Sequence, residues 1–351
     1  MNNKIAEGIM GRQVTIKDIA KEAGVSIATV SMIMNQKDKN ISDPTREKVR
    51  EIASRRGYVP NMMARSLKTR KTRIIGLIIP DITNPFFPEI ARGAEDMAST
   101  AGYSVIFCNT DDKLIREDTY IEILTEKTVD GIIFAHSADR ADMEFSACRV
   151  PIVLIDRDSG ASSLAGRVLV DNRKAAFSGV SYLIQRGYRR IAYIAGSMTT
   201  VTARERLEGY RDALAAGNLD WDPALVKKGD YRSQWGYEAV KELRDEGASY
   251  EAVFCGNDLI AIGAMRALRE MGKRVPEDMG VMGFDDIYLA GTATPPLTTV
   301  RQPIYDMGYQ AAKILIDAIE SGEGKKKGAG AAECGVSLIL DTELIVRQST
   351  R

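Results

Sequence analysis

Apolar residues in the first sixty positions recur with the period of a helix, whereas from residue 73 they gather into short continuous runs. In VTIKDIAKEAGVSIATVSMIMN (14–35), Ile16, Ile19, Ala20 and Ala23 share one helical face. Thr15 precedes them as an N-cap, with Asp18 three residues on. Gly24 supplies a turn, and Ser26 caps a second short helix whose Val30 and Ile33 point inward. A third helix starts at Ser42 and Asp43, with Pro44 at its first position, and stops at Gly57. Two short helices about a glycine turn predict a helix-turn-helix with the second helix as the reader of DNA. A three-helix bundle without a ligand has the same pattern.

Beyond residue 73 the runs RIIGLIIP, SVIFCN, GIIFA, PIVLID, RVLVD, RIAYIAG, AVFCGN and GVMGFDD read as strands. They alternate with amphipathic stretches such as PEIARGAEDMASTAGY, ARERLEGYRDALAA and AIGAMRALREMG. Continuous apolar strands between helices predict parallel sheets covered on both faces. Two such series in succession predict two doubly wound α/β lobes. Polar and aromatic residues collect at the strand ends: Asp81, Asn84, Phe86, Phe87, Asp156, Arg157, Thr200, Thr202, Arg206, Tyr231, Asn257, Asp258, Asp285 and Asp286. Ligands of open α/β sheets sit beyond those ends. Carboxylates, amides and an arginine beside rings suit a polyhydroxylated ligand. The alternative at each position is a helix cap or turn, and for Phe86 and Phe87 a place in the core.

Charge divides the chain at the same boundary. The 351 residues carry 48 Lys and Arg against 48 Asp and Glu, a net charge of zero. Residues 1–72 hold 15 basic and 7 acidic residues, and the remainder holds 33 and 41. A head of +8 is joined to a body of −8, which directs attention to nucleic acid. Hydrophobic content of 44% and charged content of 27% are ordinary globular values. No apolar run reaches the ~18 residues of a membrane span, and the N-terminus lacks a signal-like apolar stretch, so a cytosolic protein is expected. Cys108, Cys148, Cys255 and Cys334 lie far apart, with no CxxC, so neither a zinc site nor a disulfide framework is expected. The single histidine, His136, is expected in a surface turn and leaves little room for a Ser-His-Asp hydrolase. GEGKKKG does not match the phosphate loop, and no G-x-G-x-x-G occurs, so no cofactor is expected. Asn61 is placed to cap a helix of about two turns within 61–72, which in isolation is marginal and reads equally as a flexible linker. GEGKKKGAGAA (322–332) reads as a solvated loop.

TIKDIAKEAGVSIATVS, TREKV, GYVPNMMARSLKTRKTRIIGLIIPDITNPFF, RQPIYDMG and DTELIVRQST together resemble the lactose-repressor (LacI-type) family of bacterial transcription regulators, over residues 14–350. The resemblance implies a helix-turn-helix head (1–60), a hinge (61–72) and a body similar to periplasmic sugar-binding proteins. DNRKAAF and RQPIYDMG mark lobe crossovers, which divides the body into 73–172 with 302–330 and 173–301 with 331–351. Ile27, Ala28 and Met32 fall at the major-groove positions, where apolar side chains hydrogen-bond base edges poorly and pack on thymine methyls instead. Thr15, Ser26, Thr29 and Ser31 complete the DNA-facing set of the head. In the hinge, Leu67 stands as a minor-groove wedge, with Asn61, Arg65 and Lys68 about it. Phe86, Phe87, Asp156, Arg206, Tyr231, Asn257 and Asp285 match the effector contacts, and Thr202 lies among them. The implied protein is a homodimeric repressor of a carbohydrate-use operon. It binds a pseudo-palindromic DNA operator and is controlled by a sugar or sugar derivative between the lobes. The absence of a leucine-heptad tail favours a dimer over a tetramer. The rival readings are a solute-binding protein and, more remotely, a sugar-processing enzyme.

Overall fold

The computed structural model describes residues 14–35, 38–58, 71–138, 148, 150–161, 164–322 and 335–351. The chain forms two compact units, Met1–Thr72 and Arg73–Arg351.

The first unit holds helices α1 (Ile16–Ala23), α2 (Ile27–Met34) and α3 (Asp43–Arg55). Asp18 accepts hydrogen bonds from the Thr15 amide at 2.9 Å and the Thr15 hydroxyl at 2.7 Å, which fixes the entry to α1. Gly24 ends that helix at φ 72°, a left-handed conformation that glycine adopts without a Cβ clash. Ile19, Ala20, Ala23, Val30, Ile33, Val49, Ile52 and Ala53 form one small core. Pro44 occupies the second position of α3, not the first. The loop before α3 is pinned by Asp38, a buried carboxylate 2.6 Å from Arg46 Nε. Arg46 Nη2 also donates to the carbonyls of Asp38 and Ile41, each at 3.1 Å. The sequence pattern gave no sign of this staple.

The second unit contains two six-stranded sheets. The first joins β1 (Ile74–Ile79), β2 (Ser104–Asn109), β3 (Gly131–Phe134), β4 (Ile152–Ile155), β5 (Gly166–Val170) and β11 (Val336–Leu340). Their order is β11-β5-β4-β3-β1-β2, all parallel. The second joins β6 (Ile191–Ala195), β7 (Val226–Lys228), β8 (Ala252–Cys255), β9 (Gly280–Asp285), β10 (Thr298–Arg301) and β12 (Glu343–Ile345). The order there is β12-β10-β9-β8-β6-β7, with only β12 antiparallel. Every residue of β3, β4, β6 and β8 is buried, which is why those runs carry no polar alternation.

Helices α4 (Phe86–Thr100), α5 (Leu114–Glu126) and α11 (Ile304–Ser321) serve the first sheet. Helices α6 (Asn172–Gln185), α7 (Val201–Ala216), α8 (Ser233–Asp245), α9 (Asp258–Glu270) and α10 (Tyr288–Thr292) belong with the second. The division of the body differs from expectation at one place. Val336–Leu340 extends the first sheet beside β5, so the chain returns to the second sheet only after residue 340, not before 331. The reason is not local. VSLIL is apolar at four of its five positions, but which sheet it joins is decided by pairing with β5, about 170 residues earlier in the chain. His136 also departs from the surface turn expected of it: it is fully buried after β3, with Nδ1 3.1 Å from the Ala138 carbonyl oxygen. The hinge residues Asn61, Arg65, Leu67 and Lys68, Cys334, and all but the first residue of the Gly/Lys/Ala segment 322–332 lie outside the described residues. No helix among the described residues is long and apolar enough to cross a membrane.

Candidate functional site

On the head, α2 turns an apolar face to solvent. Ile27 is 45% exposed and Met32 41%, and Ala28 is exposed beside them, while Val30 and Ile33 are buried. An eight-residue helix with this much exposed apolar surface has a face for contact with another molecule. The polar residues around it are partly committed. Ser26 Oγ accepts from the Thr29 amide at 3.0 Å and lies 2.9 Å from the Thr29 hydroxyl. Asn35 Nδ2 donates to the Ser31 carbonyl at 2.6 Å, and the Thr15 hydroxyl is held by Asp18. Thr15, Ser26 and Ser31 thus set the helix ends, and hydroxyl oxygens keep lone pairs for further donors.

In the body, the carboxyl ends of both sheets face one narrow cleft that opens to solvent. All eight of Phe86, Phe87, Asp156, Thr202, Arg206, Tyr231, Asn257 and Asp285 line it. Asp81, Asn84, Asp112, Arg157, Asp230, Arg232 and Gln302 complete the lining. Phe86 and Phe87 meet edge to face at 5.1 Å and are also members of the first lobe's core, so the core and cleft readings both hold. Asn257 is likewise a cap: its Oδ1 accepts from the Ile260 amide at 2.9 Å, and its Nδ2 donates to the Tyr231 carbonyl at 3.1 Å. The Tyr231 hydroxyl lies 3.3 Å from Thr200 Oγ1 and 3.5 Å from Thr202 Oγ1.

Arg206 is the most constrained cation of the cleft. Its Nη1 donates to the Gly256 carbonyl at 2.6 Å and its Nε to Asn172 Oδ1 at 2.9 Å. The guanidinium lies 3.7 Å over the Phe284 ring and 3.9 Å from Asp285 Oδ1. Gln302 Nε2 donates to that same carboxylate oxygen at 2.8 Å. Burial pushes the Asp285 carboxyl up to about 7, opposed by Arg206 and the Gln302 hydrogen bond; Asp156 adds to the rise and Arg157 opposes it. Behind Asp285, burial raises Asp258 well above the carboxylate range, and Asp285 adds to the rise. Thr299 and the Ile287 amide donate to Asp258 at 2.6 and 2.9 Å.

A ligand hydroxyl that donates to ionised Asp285 must displace its proton. Affinity is therefore expected to fall roughly tenfold per pH unit below about 7 and to level off above it. The folding linkage has the matching sign. A raised folded pKa means stability is lost as pH rises from the unfolded value through about 7. Asp285→Asn should therefore gain in melting temperature relative to the wild type across that window, and thermal melts from pH 4 to 8 would show it. A flat difference would place the proton elsewhere.

The backbone marks the cleft as clearly as the side chains. Among the described residues, eight that are not glycine have positive φ, and five of them are Asp111, Asp112, Asp156, Asp285 and Asp286 at cleft-side strand ends. Aspartate tolerates this conformation better than most residues, and its concentration here indicates a site. Asp112, Asp230, Arg232 and Gln302 were missed by sequence reasoning. The doublet Asp111-Asp112, one residue beyond SVIFCN, is the signal that was available.

A helix-turn-helix unit followed by a two-lobed α/β body with a polar cleft defines a ligand-responsive DNA-binding protein, and the comparisons agree. The model of bacterial regulatory proteins of the lacI family matches residues 15–61, and that of the periplasmic binding protein-like domain matches residues 180–350. The HTH-type transcriptional regulator RegA of Clostridium saccharobutylicum is 37% identical over 96% of this chain and 99% of its own length. Among solved structures, the transcriptional regulator CelR–cellobiose complex is 34% identical over 96% of this chain and 99% of that one, with TM-score 0.70. The Lac repressor dimer bound to operator and the anti-inducer ONPF is 26% identical over 97% and 99%, with TM-score 0.82. The chain belongs to the lacI family of bacterial regulatory proteins. It is a transcriptional regulator with a helix-turn-helix DNA-binding domain and an effector-binding body.

Proposed function

We propose that this regulator is a homodimeric repressor of a carbohydrate-use operon, released from or held on its operator by a sugar-like effector bound between the lobes. The observation that carries the reading is the cleft at the carboxyl ends of both sheets, lined by carboxylates, arginines and aromatic rings. Such a lining satisfies vicinal hydroxyls and the apolar face of a sugar ring. The cellobiose complex of CelR and the operator complex of the Lac repressor support it by likeness. Regulators of this family are not enzymes, and among the described residues no group of three His, Cys, Asp or Glu is placed to hold a metal ion.

In this reading Ile27, Ala28 and Met32 pack into the major groove, and Thr15, Ser26, Thr29 and Ser31 approach phosphates or base edges. Leu67 wedges into the minor groove, with Asn61, Arg65 and Lys68 about it. Two heads read half-sites about one helical turn apart. Effector closes the cleft with unequal affinity for the DNA-competent and DNA-incompetent states, which is the source of the coupling.

Selection from randomised DNA with the full chain, followed by titration at fixed salt, tests this. The expected product is a pseudo-palindromic site. Leu67→Ala is expected to weaken it at least ~10-fold while non-specific binding changes little, because only the kinked site uses the wedge. Recovery of no preferred site would overturn the repressor reading, and an unchanged specificity ratio in the variant would overturn the wedge.

A further inference from the structure

The charges lining the cleft do not balance. Asp81, Asp112, Asp156, Asp230 and Asp285 face Arg157, Arg206 and Arg232. Each arginine is already committed to protein. Arg206 holds Asp285 and the Gly256 carbonyl, as described. Arg157 Nη1 donates to the carbonyls of His136 and Ser137 at 2.6 and 2.8 Å, and its Nε stands 3.3 Å from Asp156 Oδ2. Arg232 Nε lies 3.8 Å from Asp81 Oδ2 across the cleft mouth, and its amide donates to Asp230 Oδ1 at 2.9 Å. Asp112 and Asp230 are left as an excess of negative charge at that end.

Asp112 feels this surplus. It keeps an exposed edge, yet loss of hydration raises its carboxyl above the usual range; Arg157 and Arg232 lower it, and Asp81 and Asp230 push it further up. The solvent-exposed edge weakens each of these interactions by screening, and burial with the two neighbouring carboxylates outweighs the two arginines, so the net direction is upward. An incoming phosphate would meet the same three carboxylates, and each arginine of the described lining already stands beside a carboxylate. Two further atoms speak for neutral partners. Arg157 Nε and Gln302 Oε1 are buried in the lining without an aligned hydrogen-bond partner among the described residues. One is a donor and the other an acceptor, and a hydroxyl group can satisfy either.

We infer that the cleft takes an uncharged polyhydroxylated ligand and rejects its phosphate ester, with Asp112 and Asp230, backed by Asp81, as the groups that exclude the anion. This inference rests on the proposed reading of the cleft as a sugar site. Like charges across a binding surface give specificity of this negative kind.

The test is titration calorimetry and thermal shift on the full chain, at fixed ionic strength, with three matched pairs. They are D-ribose and D-ribose 5-phosphate, D-glucose and D-glucose 6-phosphate, and cellobiose and cellobiose 6-phosphate. At least one neutral member is expected to bind, with its ester at least ~10-fold weaker. In Asp112→Asn/Asp230→Asn the ratio between the two members is expected to shrink several-fold, whatever happens to the neutral affinity itself. Added salt should shrink it as well. An ester that binds as tightly as its neutral partner would overturn the inference and leave the sugar-site reading standing. A ratio unmoved in the double variant would also overturn it, since exclusion would then be steric. If no member of any pair binds, the sugar-site reading fails and this inference fails with it.

Discussion

Replacing Arg206 with methionine is expected to abolish the effector response and to leave operator affinity within about threefold of the wild type. The methionine stem keeps packing over Phe284, where the guanidinium lies 3.7 Å from the ring, but it removes the donors to Gly256, Asn172 and Asp285. A charge-assisted hydrogen bond is worth about 1.5–3 kcal/mol, so losing the cleft's central cation weakens a ligand bonded to it by one to two orders of magnitude. Removing one partner of a buried ion pair also destabilises the fold, typically by about 3–5 kcal/mol. Here the loss is softened, because Asp285 takes a proton near pH 7. The melting temperature of the variant should therefore drop less at pH 6 than at pH 8. Operator titrations with and without a ligand that stabilises the wild type would measure the response. A full response in the folded variant would remove Arg206 from the effector site.

The largest expected loss of stability lies at a helix crossing just behind the cleft residues Arg232 and Asn257. Helices α8 and α9 cross through glycines on both sides. A Cβ on Gly263 would come within 1.8 Å of the Ser233 carbonyl oxygen, and one on Gly236 within 1.9 Å of that of Ile260. The opposing atoms are backbone, so neither helix can yield without separating from the other. Gly263→Ala is expected to cost at least ~2–3 kcal/mol through overpacking, and Gly263→Val to prevent folding of that lobe. Gly93 and Gly308 make the same kind of crossing between α4 and α11, each 2.0 Å from an opposing carbonyl oxygen. Gly291→Ala, with nothing within 4 Å of the added Cβ, is the control and should change stability by less than ~1 kcal/mol. Chemical denaturation followed by circular dichroism separates these outcomes. Equal midpoints for Gly263→Ala and Gly291→Ala would contradict the close-crossing argument.

Much of the site was legible because chain position and chemistry coincide in an α/β body. The carboxyl ends of parallel strands converge by topology, so polar residues directly after apolar runs were assembled without knowledge of the angles between strands. Asp156, Asn257 and Asp285 are of this kind, whereas Arg206, six residues into α7, and Tyr231, after the polar strand β7, were singled out by the family resemblance. Arg232 and Gln302 were not legible. Arg232 follows the recognised Tyr231, and Gln302 stands inside RQPIYDMG, which was read only as a lobe crossover; the part each plays in the cleft depends on a bond to a distant residue, Asp81 for Arg232 and Asp285 for Gln302. The strands Val336–Leu340 and Glu343–Ile345 were missed because both are short edge strands whose place depends on pairing with β5 and β10, far earlier in the chain. His136 was misplaced because a single polar residue after a strand has no periodicity that separates a turn from a buried corner.

The sequence alone determined the helix-turn-helix, the two α/β series and the division of charge into a basic head and an acidic body. Those properties reside in periodicity, capping residues and composition, all of which are local. Only the tertiary structure decided which lobe owns residues 336–340, which arginines of the cleft are already neutralised, and that Asp285 titrates near neutrality. Each of these depends on distances between residues far apart in the chain and on the loss of water around them. Electrostatic energies follow separation and local dielectric, and neither is written in the order of the residues.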